Sequence, residues 1–194
     1  MKVLLLTPTP GLLVPAVKNE EYITCMDPPA AWPEADWAIS MGYRHLIGAT
    51  IQKMRGNIIN IHIGMLPFNR GADPNFWSFF DNFPKGVTIH QVDVGLDTGP
   101  VYGQCDMQFR EGHTLKTSYE ALQRAESLYF ASIWPDIRDG KRTPVPQPQG
   151  GSYHRSADKT PWMERLPLGW DTPVEAVEEL GRESRRHETV RTLH

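Results

Sequence analysis

Four short apolar runs, at residues 2–7, 21–25, 36–40 and 58–62, occupy the first third of the chain and leave it few ways to fold. The first, KVLLLT, stops at Pro8-Thr9-Pro10-Gly11, and the second stops in MDPPAAWP, where the prolines enforce a loop. The third ends in the turn Met41-Gly42-Tyr43. Brief, unbroken apolar runs of this kind are strands buried on both faces, as in parallel sheets. Residues 45–55 read as a helix ahead of the fourth run, and a turn or short helix fills the space up to Lys18. Strands alternating with crossovers predict an α/β chain with a compact, doubly wound, mostly parallel sheet.

The second half changes character. Residues 76–82 are expected to be helical, with Asn75 or Asp73 as the cap. Two antiparallel strands follow. In the second of them Val101, Cys105, Met107 and Phe109 alternate with Tyr102, Gln104, Asp106 and Gln108, so one face is buried. Thr114 or Thr117 starts a long helix carrying Leu115, Tyr119, Leu122, Tyr129 and Ile133, kinked at Pro135 and ended by Gly140. Its aromatic residues are assigned to the core or to a dimer interface rather than to ligand stacking, which leaves a homodimer open. The stretch 143–162 reads as an extended arm, either a flap over a substrate or a strap packed on the domain. Thr172-Pro173-Val174-Glu175 has the form of a capping box with proline at the first helical position. The helix it opens runs toward Arg186, and residues 185–194 are expected to form a frayed, solvated tail. Residues 1–150 are therefore taken as one domain, with 151–194 as an arm and helix packed on it.

Composition removes whole classes of function. A chain of 194 residues suits one well-buried domain. A net charge of −3 is not the basic footprint of a nucleic-acid binder. Cys25 and Cys105 form neither a CxxC nor a metal-ligand spacing, and both are expected to be reduced. The N-terminal apolar run is broken by Pro8, Pro10 and Pro15, far short of the ~20 residues a membrane span needs, and it lacks a signal-peptide cleavage site. The expectation is a cytoplasmic protein with no membrane and no nucleic-acid partner.

Asn60 and His62 lie two positions apart in one strand, so both side chains point to the same face. Asp97 lies in the glycine-flanked turn VGLDTGP, from which a carboxylate can swing back toward the imidazole. Taken singly, each has an ordinary structural explanation: a strand-end amide, a hydrogen-bonded histidine, an Asx turn. Taken together, and without a serine or cysteine nucleophile, they suit transfer of an acyl-level group to an amine through a tetrahedral oxyanion. His62, His90 and Asp97 are metal-ligand types, but no HxH, HxxxH or HExxH pattern joins them, and no metal is expected. No GxGxxG is present, which argues against an ordinary dinucleotide.

The runs NIHIGMLPFNRGADPNFW and GVTIHQVDVGLDTG resemble the folate-dependent formyltransferase family: an Asn-x-His strand, an LP-x-x-RG loop, and a T-x-H strand leading to LDTG. The resemblance implies a Rossmann-like formyltransferase domain, trimmed here because the link after the second strand is too short for a helix. It makes Asn60 and His62 the oxyanion donors, His62 also the proton-handling group and Asp97 its orienting carboxylate, with His90 in support. It implies N10-formyltetrahydrofolate as cosubstrate, held by Met41, Gly42 and Tyr43 and by Gln91, Val92, Asp93 and Leu96. Arg70, Asp73, Asn75 and Trp77 then face a small-molecule amine, and Arg70 has an alternative as an ion pair with Asp73. Tyr153, Trp162 and Trp170 are further candidates for stacking on a base or sugar. RGADP followed by tryptophan, with LDTG, is closest in look to the sugar N-formyltransferases, which are commonly larger. The expected acceptor is a nucleotide-linked amino sugar. A glycinamide ribonucleotide-type or other amine formyltransferase, a formyltetrahydrofolate hydrolase and a non-catalytic folate-binding module remain as alternatives.

Overall fold

Strands β1 (Lys2–Leu6), β2 (Glu21–Cys25), β3 (Trp37–Met41) and β4 (Ile58–His62) lie parallel in the order β2-β1-β3-β4. The computed structural model in which they are seen describes residues 1–45, 47 and 57–192. After a two-residue strand β5 (Arg70–Gly71) and helix α1 (Pro74–Phe80), β6 (Lys85–Gln91) pairs antiparallel with β4, and β7 (Val101–Met107) antiparallel with β6. The sheet is thus mixed, six-stranded and mostly parallel. Helix α2 (Leu115–Arg138) packs on it, strand β8 (Tyr153–His154) pairs parallel with β5, and the short α3 (Thr160–Met163) and long α4 (Val174–Thr192) close the chain.

The alternation along each strand decides which face meets what. Val3, Leu5, Ile39, Ile59, Ile61, Val87 and Ile89 meet Leu122, Phe130, Ile133, Trp134 and Ile137 of α2 in one core. Leu4, Leu6, Ala38 and Ile58 point the other way into a second. Burying a side chain of this size contributes about 2 kcal/mol, so a register slip in β1 or β4 is strongly disfavoured. Asn60 and His62 share parity with Ile58 and therefore stand on the face away from α2. A third cluster joins Phe76, Trp77, Phe79 and Phe80 of α1 to Val174, Val177 and Leu180 of α4.

Several expectations need correction. Helix α1 begins at Pro74, and neither proposed cap acts as one. Asp73 is left-handed (φ 54°) and makes no capping bond, while Asn75 Nδ2 donates to Leu115 O across the domain. Both Thr114 and Thr117 start α2, as a reciprocal capping pair, and the helix continues through Pro135 to Arg138. Thr172 forms no capping box: its buried hydroxyl has no hydrogen-bond partner. Helix α4 starts after Pro173, because Val174 N–H is taken by His113 O. The same helix carries the expected tail on to Thr192. The helix expected over 45–55 lies almost wholly outside the described residues. No helix among the described residues is long and apolar enough to cross a membrane.

Candidate active site

The parallel strands end on one side of the sheet, and there a cleft of about 1130 Å³ opens. This is where open α/β sheets present their loops to ligands. Pro8 and Thr9 after β1, Ser40 to Arg44 around the end of β3, and Asn60 to Ile63 around the end of β4 line it. The loop of residues 92–97 closes the other side. Gly42 has φ +64°, a backbone state that lets the chain turn away directly after β3.

Asn60, His62, His90 and Asp97 meet at the floor. The register sets Asn60 opposite His90 and His62 opposite Thr88 in the β4–β6 ladder. Asn60 Nδ2 donates to His90 Nε2 at 3.3 Å and to Asp97 Oδ1 at 3.4 Å. His90 Nδ1 lies 2.9 Å from Gln91 O, a carbonyl that can only accept. That fixes the proton on Nδ1 and leaves Nε2 of neutral His90 as the acceptor for Asn60. His62 Nε2 likewise donates to Asn69 O at 3.0 Å, so the lone pair of neutral His62 sits on Nδ1, 3.7 Å from Asp97 Oδ2.

The electrostatics follow from burial and partners. Burial lowers the pKa of His62, Asp97 pulls it up, His90 lowers it further, and burial wins. Asp97 thus favours the charged imidazole, as its residue type implies, but burial outweighs it. Burial acts on Asp97 in the opposite sense. It is outweighed by His62, His90 and the Gly71 N–H, which donates to Oδ2 at 2.8 Å, and the carboxyl is held well below the usual carboxylate range. A neutral imidazole with its lone pair toward a fixed carboxylate can accept a proton at Nδ1. The primary amide beside it carries two N–H groups on long bonds, free to be redirected.

The other expected contacts divide. Met41, Gly42, Tyr43, Val92, Asp93 and Leu96 line the cleft, as do Asp73 and Asn75. Gln91 does not; it ends β6 just below. Arg70 does not either. It donates to Gln147 Oε1 and Gly150 O rather than pairing with Asp73, whose partner is Lys159. Trp77 is buried and stacks on His154 with ring centroids 3.9 Å apart. Tyr153 and Trp162 also stay out of the cleft, whereas Trp170 lines it. Among the described residues no group of three or more His, Cys, Asp or Glu could hold a metal ion.

The pattern of the formyl transferase family matches residues 19–133, more than half of the chain and the whole of the Asn60–His62–Asp97 region. The chain belongs to the formyl transferase family. A crystal structure of the formyltransferase PseJ from Anoxybacillus kamchatkensis, in complex with UDP-4,6-dideoxy-4-formamido-L-AltNAc and tetrahydrofolate, is 40% identical. It superposes with a TM-score of 0.85 over 93% of this chain and 100% of that one. The phosphoribosylglycinamide formyltransferase of Bacillus subtilis is 37% identical over 94 residues, which are 47% of this chain and 48% of the relative. The dTDP-4-amino-4,6-dideoxyglucose formyltransferase of Mycobacterium tuberculosis is 34% identical over 85 residues, 44% of this chain and 36% of the relative. The chain spans about half the length, or less, of the curated relatives it matches.

Part of this formyl transferase cleft was not read from sequence. Tyr119, Gln123 and Glu126 of α2 line it, as do Ser156 and Lys159 from the C-terminal region. Tyr119, expected in the core or a dimer interface, instead faces the cleft and meets Trp170 edge-on. The signal for Glu126 was available: it falls at a core position of the helix, between buried Leu122 and Phe130. An acidic residue in that register calls for a reason. It is 3% exposed, and burial pushes its pKa up to about 8. Lys159 and Ser156 carried no such signal, because nothing in the local sequence says where an arm will lie.

Proposed function

We propose that this protein is an N-formyltransferase that moves the formyl group of N10-formyltetrahydrofolate to the primary amine of a nucleotide-linked amino sugar. The observation that carries this reading is the match to PseJ, at 40% identity and over the whole length of that chain, whose structure holds a formamido sugar nucleotide and tetrahydrofolate. The cleft, with Asn60, His62 and Asp97 at its floor, supplies the chemistry such a transfer needs.

In this reading the amine nitrogen attacks the formyl carbon, forming a C–N bond and a tetrahedral oxyanion. Asn60 turns one of its two N–H groups from its long internal bonds to that oxyanion. The proton of the attacking nitrogen is taken at Nδ1 of His62, and Asp97 stabilises the imidazolium. The new Nδ1–H is then a donor. The bond from the formyl carbon to N10 breaks, and N10 receives the proton as tetrahydrofolate leaves. The loop 92–97 and the turn after β3 hold the folate, with backbone groups exposed to its pterin edge. Asp73, Asn75, Lys159 and Trp170 face the acceptor. Arg70, Trp77 and Gln91 are assigned to support of the site rather than to contact. The domain itself comprises 1–150, with 151–194 as its arm and closing helix.

The test is a turnover assay read by mass spectrometry. Protein and N10-formyltetrahydrofolate are mixed with nucleotide-linked 3- and 4-amino sugars, glycinamide ribonucleotide and free amino acids. A formylated amino sugar is the expected product. Formylation of glycinamide ribonucleotide alone, or tetrahydrofolate release without any formylated amine, rejects the acceptor assignment, the latter in favour of hydrolysis.

A further inference from the structure

Asp97 has φ +54°, a left-handed state that costs a non-glycine residue on the order of 1 kcal/mol and persists only where its surroundings impose it. Gly71 N–H holds its carboxylate, and the C-terminal arm holds its backbone. Gln147 Nε2 donates to Asp97 O and to Gly99 O, each at 2.8 Å. Its Oε1 accepts from Arg70 Nε at 3.3 Å and Nη2 at 2.8 Å. A guanidinium can only donate, so Arg70 dictates that the amide oxygen faces β5 and the NH2 faces the turn. At Gly99 a Cβ would lie 1.8 Å from Gln91 O, so the turn is pressed against the end of β6.

The same arm holds the other partner of His62. Ser152 Oγ accepts from Asn69 N at 2.8 Å and donates to Asn69 Oδ1 at 3.3 Å. Asn69 is wholly buried with φ +57°, and its carbonyl takes the Nε2–H of His62. The arm is itself anchored upstream, where Val145 and Val101 exchange two backbone bonds.

We infer that residues 147–152 of the arm are the positioning element of the catalytic pair: Gln147, oriented by Arg70, holds the Asp97 turn against Nδ1 of His62, and Ser152 holds the carbonyl that fixes Nε2. This rests on the activity proposed above for the roles of His62 and Asp97, but the geometric coupling does not. The arm touches neither reacting atom; it sets the distance between two groups that do. The charged and titratable groups that face His62 are Asp97 and His90, and of these only Asp97 is held by the arm.

The experiment uses Gln147→Leu, which keeps the bulk and loses the donors, with Arg70→Lys as the milder variant should the first fold poorly. Two readouts are taken. One is the titration of the His62 ring by NMR in the ligand-free protein. The other is kcat and KM for the formyl donor and the acceptor. Loosening the Asp97 turn removes the carboxylate that raises the His62 pKa. The expected result is therefore a downward shift of about half a unit, with kcat down about tenfold and either KM changed less than threefold. Arg70→Lys, which retains one donor to Gln147, should give a smaller shift in the same direction. An unmoved His62 titration in either folded variant overturns the inference, as does a lowered melting temperature with kcat intact. If the wild-type protein formylates no amine, the functional reading fails, yet the titration still decides whether the arm sets the His62–Asp97 geometry.

Discussion

Oδ2 of Asp97 lies 3.7 Å from Nδ1 of His62, and that oxygen is pinned from the opposite side by the N–H of Gly71 at 2.8 Å. The carboxylate is thus held by backbone on one side while it faces the imidazole on the other. Both groups are almost wholly shielded from solvent, at 10% and 6% side-chain exposure. Their pKa shifts point the same way for stability. The Asp97 carboxyl is held down, so its contribution is present above the unfolded carboxylate range and is lost as pH falls. Burial holds His62 down too, so protonating it in acid also disfavours the folded state.

Replacing Asp97 by Asn keeps the size and the left-handed turn and removes the charge. The His62 pKa should fall further, since Asp97 is what pulls it up. Under the proposed mechanism kcat should fall about a hundredfold or more, within the usual range for a group that serves proton transfer. Rate measurements across pH 5–9 with parallel NMR titration of His62 check both. Near-wild-type turnover, or a His62 pKa that rises, would contradict the assignment.

Glu126 gives a prediction of the opposite sign. Burial disfavours the charged form of its carboxyl and pushes the pKa up to about 8, against an ordinary value near 4.5. The protonated group is tolerated below the unfolded value; stability is then lost as pH rises from there through the folded value. Glu126→Gln should therefore melt several degrees higher than wild type at pH 9 and almost equally at pH 5, consistent with a cost on the order of 5 kcal/mol for the buried charge. Equal melting curves at pH 9 would show that the cleft hydrates this carboxylate.

How much of this was legible in the sequence depended on where the deciding contacts come from. Strands β2 and β4 matched their expected limits because short apolar runs bounded by proline are fixed locally. Asn60 and His62 share a face by the two-residue period of a strand, and no tertiary fact was needed. The failures are at contacts made over long sequence separations. Arg70 meets Gln147 of the arm instead of Asp73, and Asp73 meets Lys159, both partners lying far away in sequence. Thr172 lost its capping role because His113 O, brought in by α2, had already taken the first amide. The pull of Asp97 on His62 was visible from residue type, but the burial that outweighs it was not.

Lys159 bears on acceptor binding. It reaches into the cleft from the start of α3, pairs with Asp73, and lies with Nζ 5.3 Å from the centroid of the Trp170 ring. A nucleotide-linked substrate carries phosphate charge that such an ammonium can meet. Lys159→Ala should raise KM for that acceptor about tenfold with kcat changed less than threefold, and Lys159→Arg should recover most of the loss. Steady-state kinetics at two ionic strengths test this, and an unchanged KM for the acceptor would remove Lys159 from the binding site.

Gly64 is the most stringent point in the framework of His62. A Cβ added there would lie 2.7 Å from His62 Nε2 and 3.4 Å from the Cβ of Pro74. The imidazole cannot retreat freely, because Nε2 is bonded to Asn69 O and the ring is buried. Gly64→Ala must therefore displace His62 from Asn69, from Asp97, or from both. Breaking a buried hydrogen bond costs about 1–3 kcal/mol, so the melting temperature should fall by several degrees while the protein remains folded. The rate should fall more than tenfold, because a small displacement of a proton-handling group is enough to spoil transfer. Since Gly64 itself touches no expected ligand position, binding of folate followed by fluorescence should stay within about threefold of wild type. Wild-type turnover in a folded Gly64→Ala protein would mean that His62 can do its work from another position, and the acid–base geometry described here would then have to be abandoned.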